Sequence, residues 1–149
     1  MRRETLVLFL LVVFAFVSCN GNKKESQVKT HEQQEPFIMT SQDTLDVVAL
    51  SDSCMRCLKN GELESAIGLL YTYKNGTLSS IDNQQIINTK KRFSIFPVLD
   101  YSLVYMSFEG NSVNQLKYDV KFDHSNSITS YRFSPVKIEG KWYLTVDDK

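Results

Sequence analysis

The chain is poor in the residues that most often carry chemistry. It has two histidines, three cysteines and one tryptophan, with only six glycines and three prolines. Two histidines and a single close cysteine pair do not supply a tetrahedral metal site with recognisable ligand spacing. No glycine-rich loop is present to cradle a phosphate. No Ser/His/Asp set in a recognisable context and no paired-carboxylate site emerges. Net charge is also missing, with 17 basic and 17 acidic side chains. Nucleic-acid binding needs a clustered basic face, and the short run Lys90-Lys91-Arg92 reads as a solvated helix face. No cofactor is implied, and no internal repeat is found.

Only one long apolar run exists, Leu6 to Val17, preceded by Arg2 and Arg3. It is shorter than the roughly 20 residues a membrane span needs and has the length of a signal-peptide h-region. It ends in Phe16-Val17-Ser18-Cys19, which resembles a lipobox. Residues 1–18 are therefore expected to be an export signal, with Cys19 the lipidated first residue of the mature chain. Asn20 rather than aspartate follows Cys19, which permits the outer membrane. Asn20 to about Pro36 is polar, with Val28 its one aliphatic residue. Such a stretch buries too little apolar area to offset ordering entropy and reads as a tether. His31 falls within it. The expected order is signal 1–18, anchor and tether 19–40, and one domain 41–149.

In that domain a first helix is expected from Ser41 or Asp43, both good caps. Leu45, Val48, Met55 and Leu58 form its apolar stripe, and Asn60-Gly61 ends it. A second helix is expected from Glu62 to Tyr71, and a third from about Ser80 to Ile95, stopped by Pro97. The period then changes to two. Tyr101 to Phe108 is apolar on both faces and reads as a central strand. Leu116, Tyr118, Val120 and Phe122 alternate with polar residues in the next. Ile128 to Ile138 holds Pro135, which predicts a bulge or bend. Trp142 to Val146 closes the set. The expected fold class is α+β, with N-terminal helices packed on a curved four-stranded antiparallel sheet.

Cys54-Met55-Arg56-Cys57 is the sharpest local motif. In an exported chain a disulfide is permitted, and i,i+3 positions of a helix lie close together. A structural pair, buried or bridged, is the main reading. A redox role would want the first cysteine at a helix N-terminus, and a metal would want further ligands. Asp43-Thr44-Leu45 resembles a short O-glycosylation motif but equally reads as a helix start.

The segments Lys59–Ile67 (Lys-Asn-Gly-Glu-Leu-Glu-Ser-Ala-Ile) and Val136–Leu144 (Val-Lys-Ile-Glu-Gly-Lys-Trp-Tyr-Leu), in this order, resemble the nuclear-transport-factor-like (SnoaL-like, cystatin-like) cone fold. The resemblance covers about Asp43 to the C-terminus. Lipobox, tether and domain together look like small lipoproteins of Bacteroidetes. The resemblance implies a cone-shaped pocket used as an enzyme site, a ligand site or a dimer surface. Tyr101, Tyr105, Tyr118 and Phe122 are the expected lining. A steroid-isomerase-like site would need an acidic base and a protonated acid, and Asp100, Tyr101, Tyr105 and Asp119 are the right residue types. The expectation is an envelope lipoprotein that binds a small ligand or a protein partner, with a homodimer as a further option. The alternatives are a pocket acid-base enzyme of isomerase or hydratase type, or a thiol-redox protein using Cys54 and Cys57.

Overall fold

A computed structural model describes residues 38–125 and 127–146. The expected signal, Cys19 and most of the tether lie outside the described residues. The first helix, α1, spans Ser41–Lys59. Thr40 caps it: its Oγ1 accepts from the Asp43 N–H at 3.0 Å, and Asp43 accepts from the Thr40 N–H at 3.2 Å. This reciprocal pair satisfies donors that a helix start leaves open. Asn60 and Gly61 end α1, with Gly61 at φ 76°, the left-handed conformation that glycine adopts freely.

The second helix is shorter than expected. α2 covers only Leu63–Ile67, and Leu70–Lys74 is strand β1 instead. β1 turns at Asn75-Gly76, both left-handed at φ 50° and 80°, into β2, Thr77–Ser80. Such a two-residue turn matches strand twist, so it draws the preceding residues into a hairpin. Asp82 then caps α3, Asn83–Ile95, in a second capping box with Gln85.

β3 (Val98–Phe108), β4 (Asn114–Phe122) and β5 (Ile128–Phe133) form an antiparallel meander. The chain breaks at Ser134-Pro135, where a bend was expected, before β6 (Val136–Ile138) and β7 (Lys141–Thr145). The second sheet runs β2-β1-β7-β6, with β1 parallel to β7. Ser134 N–H donates to the Thr145 carbonyl at 2.9 Å, which links the two ladders across the bend.

The architecture is thus mixed α+β, but the expected four-stranded antiparallel sheet is corrected to a mixed arrangement of seven strands among the described residues. β3 is corrected too: it is an edge strand, with Leu99, Val104, Tyr105 and Met106 close to half exposed. α1 fills the inner face of the meander. Its Val47, Cys54, Met55 and Leu58 share one buried cluster with Leu116, Tyr118, Val120, Phe133 and Leu144.

Candidate functional site

The four residues expected to line a cone pocket do not come together around open space. Tyr118 is buried, and its hydroxyl pairs with Ser51 Oγ on α1 at 2.7 Å. Tyr101 donates to Asp52 on the next helix position at 2.9 Å. Burial first, and then the Asp52 carboxylate, push the Tyr101 phenol up to about 12. Phe122 is buried against Phe93 and Phe96. The inner face of the sheet is therefore packed core at these positions. Tyr105 instead borders a groove.

The acid-base arrangement is not assembled either. Asp100 lies on the surface with Lys59 at 3.0 Å, and Asp119 pairs across the strands with Ser102 and Ser130, away from α1. Asp43 is the buried carboxylate among the described residues. It accepts from Lys137 Nζ at 2.5 Å, from Thr40 Oγ1 at 2.8 Å and from Trp142 Nε1 at 3.1 Å. The Lys137 ammonium, and next the Thr40 hydroxyl, hold its carboxyl far below the usual carboxylate range. A protonated pocket acid needs the opposite shift. Asp43 of the Asp43-Thr44-Leu45 motif lies inside α1, with Lys137 of β6 and Trp142 of β7 on its carboxylate.

Cys54 and Cys57 stand as free thiols in the structure, the unbridged form of the structural pair. Cys54 is fully buried, and its S–H donates to the Ala66 carbonyl at 3.7 Å. Burial pushes its thiol up to about 12. Burial and then the Glu62 charge also raise Cys57. Reactive thiols are shifted the other way. Iodoacetamide at mildly alkaline pH is expected to modify Cys57 slowly in the folded protein and Cys54 only in denaturant, read by peptide mass mapping. Equal rates at the two sites in the folded chain would contradict the buried placement of Cys54.

Among the described residues a groove of about 430 Å³ lies elsewhere. Tyr105 and Ser107 of β3 line it, and their register partners are Lys117 and Gln115. These alternate with Leu116 and Tyr118, which turn toward α1. The groove thus lies on the sheet face opposite the helix. Tyr73 of β1 and Thr145 of β7 form the far wall, and the β3–β4 turn with Glu109 and Val113 closes one end. Buried Asn114 holds that turn in place. Its Oδ1 accepts from the Glu109 N–H at 3.1 Å, and its Nδ2 donates to the Pro135 carbonyl at 3.0 Å. The Glu109 carboxylate accepts from Ser107 Oγ at 3.2 Å. Sequence reasoning missed this site. Its one readable signal was Pro135, whose bend lets two strand ladders diverge and leave the groove between them.

No protein-family model matches the chain, and no curated protein matches it in sequence. Solved structures do resemble it. A Nostoc punctiforme protein of unknown function with a cystatin-like fold aligns at TM-score 0.50 and 14% identity, over 74% of this chain and 96% of that one. A Campylobacter jejuni protein described as a provisional NTF2-like transpeptidase aligns at 0.49 and 12%, over 68% and 99%. A DUF4783 family protein from Bacteroides uniformis aligns at 0.46 and 10%, over 63% and 89%. The chain has a mixed α+β fold similar to the cystatin-like fold of the Nostoc protein. A shared fold does not carry an activity with it.

Proposed function

We propose that this chain is a lipid-anchored protein of the bacterial cell envelope, attached through Cys19, whose domain binds a ligand in the groove bounded by Tyr73 and Tyr105. The groove carries the reading. Its volume of about 430 Å³ falls within the range of roughly 300–1,000 Å³ typical of small-molecule sites. The inner face of the sheet, by contrast, is closed by α1. The lipobox-like Phe16-Val17-Ser18-Cys19 and the polar tether support the anchoring half. A ligand that binds only the folded state raises stability by about 2.7 kcal/mol at a hundredfold excess over Kd. The test is therefore a thermal-shift screen of the detergent-solubilised full chain against amino acids, peptides, nucleosides, sugars and acyl lipids. At least one class is expected to raise the Tm, and Tyr73→Ala to abolish that rise. A screen without hits, or hits that survive Tyr73→Ala, would overturn the binding reading.

A second reading rests on β3. This edge strand leaves one row of backbone groups unpaired and exposes Leu99, Val104 and Met106 beside it. Edges of this kind accept another strand, and a second copy of the chain is the simplest donor.

A further inference from the structure

We propose that the groove takes a neutral oligosaccharide. This inference rests on the groove being the binding site and adds the ligand class. It begins with the tyrosines. Five of the seven pack against another aromatic ring: Tyr71 with Tyr143, Tyr101 with Tyr118, Tyr118 with Phe133, and Tyr131 with Phe93. Among the described residues, the two that pack on no other ring are Tyr73 and Tyr105, and both line the groove. They come from different sheets, so the bend at Ser134-Pro135 is what brings them to one cavity. An unstacked aromatic ring is an open apolar plate with a polar rim. The C–H face of a pyranose is its natural complement.

The rest of the lining excludes other ligands. Glu109 is the one charged residue of its lining, and the cations Lys117 and Arg132, paired beside Tyr105 on the same face, are not part of it. A phosphate or carboxylate ligand would meet the Glu109 charge inside the groove. An acyl chain would take water from the Gln115 amide and from the Glu109 carboxylate, which Ser107 satisfies only in part, at a desolvation cost. A neutral polyhydroxyl ligand satisfies these two groups: hydroxyls donate to Glu109 and both donate to and accept from the Gln115 amide. Glu109 is already oriented by Ser107 and fixed at its backbone by Asn114, so little side-chain freedom is lost on binding. A peptide gains less, because an extended chain would lengthen the ladder at the free edge of β3 rather than lie on the sheet face that the groove crosses.

The experiment is titration of the full chain, held in a non-glycoside detergent, with cellotetraose, chitotetraose, maltotetraose and tetra-alanine, followed by backbone amide shifts. At least one tetrasaccharide is expected to saturate below about 10 mM, with shifts concentrated at Tyr73 and from Tyr105 to Gln115. Tyr73→Ala and Tyr105→Ala should each weaken it about tenfold or more, close to the loss of one aromatic stacking contact. Tyr105→Phe keeps the ring and should bind within a few-fold of wild type, which separates stacking from folding damage. If tetra-alanine alone binds and loses affinity in the same variants, the sugar assignment falls and the groove stands. If no probe shifts these residues, both fall.

Discussion

Replacing Asp43 with alanine is expected to lower the unfolding free energy by about 3–5 kcal/mol, the range for breaking one side of a buried ion pair. Three unrelated parts of the chain meet on this carboxylate. Within α1 it completes the capping box with Thr40. From 94 and 99 residues away, Lys137 and the Trp142 indole both donate to it. Its side chain is 9% exposed and that of Lys137 is 24% exposed, so removing the acid leaves an ammonium with little water and no partner. Lys137 also sits over the Trp142 ring, 5.8 Å from its centre, so its stem still packs when the charge is lost. Lys137→Met in the Asp43→Ala background should therefore recover part of the loss. A coupling of roughly 1–3 kcal/mol is expected, as for residues in one network. Urea melts of the two single variants and the double variant measure it. A loss under about 1 kcal/mol for Asp43→Ala, within the scatter of ordinary substitutions, would show that the network does not hold α1 to β6–β7.

The same pair sets an acid limb. The folded Asp43 carboxyl titrates below its unfolded value of about 3.9. Its contribution is therefore complete above about pH 4 and drains away as pH falls through the folded value. Asp43→Asn should flatten this part of the stability profile while leaving the neutral plateau lower.

Asp43 also shows why sequence periodicity placed the face of α1 imperfectly. Counting apolar residues gives Leu45, Val48, Met55 and Leu58. The buried face is Asp43, Val47, Ser51, Cys54, Met55 and Leu58, and Leu45 is 64% exposed. Two polar residues belong to the inside because their partners arrive from elsewhere: Tyr118 for Ser51, and Lys137 with Trp142 for Asp43. No local window contains those partners. The same limit explains β1. Leu70–Lys74 continues an apolar helix pattern, yet it becomes a strand because Asn75-Gly76 turns it into a hairpin and β7 pairs beside it in parallel. Gly61, the bend at Pro135 and the alternation of β4 are local signals and were legible, whereas the N-caps are Thr40 and Asp82 rather than the expected Ser41 or Asp43 and a start near Ser80. The edge position of β3 was not, because apolar side chains on both faces of a strand look alike whether a neighbour or solvent covers one side. The groove shared that fate, since Tyr73 and Tyr105 lie on strands whose pairing only the long-range topology decides.

Cys19→Ala is expected to abolish incorporation of labelled palmitate and to leave residues 1–18 on the chain, read by gel mobility and intact mass. The reason is chemical. Alanine has no thiol to carry the diacylglycerol, and the peptidase that recognises the lipidated residue then has no substrate. The effect on location follows from acyl-chain energetics. Each buried methylene contributes about 0.8 kcal/mol, one myristoyl chain gives an association constant near 10⁴ M⁻¹, and two or more chains hold stably. The polar segment after Cys19 adds nothing comparable, and Lys23 and Lys24 are followed by Glu25. An uncleaved apolar run can itself retain a chain at the membrane, so the variant is best placed behind an ordinary secretory signal. There Cys19→Ala should move the protein from the carbonate-resistant membrane pellet to the soluble envelope fraction. The same fusion with Cys19 intact but no lipobox before it should behave identically, because the modification needs both the thiol and its preceding residues. Persistence of the label in Cys19→Ala, or its absence from the wild-type chain, would remove the lipid anchor from the proposed function and leave the groove to be judged alone.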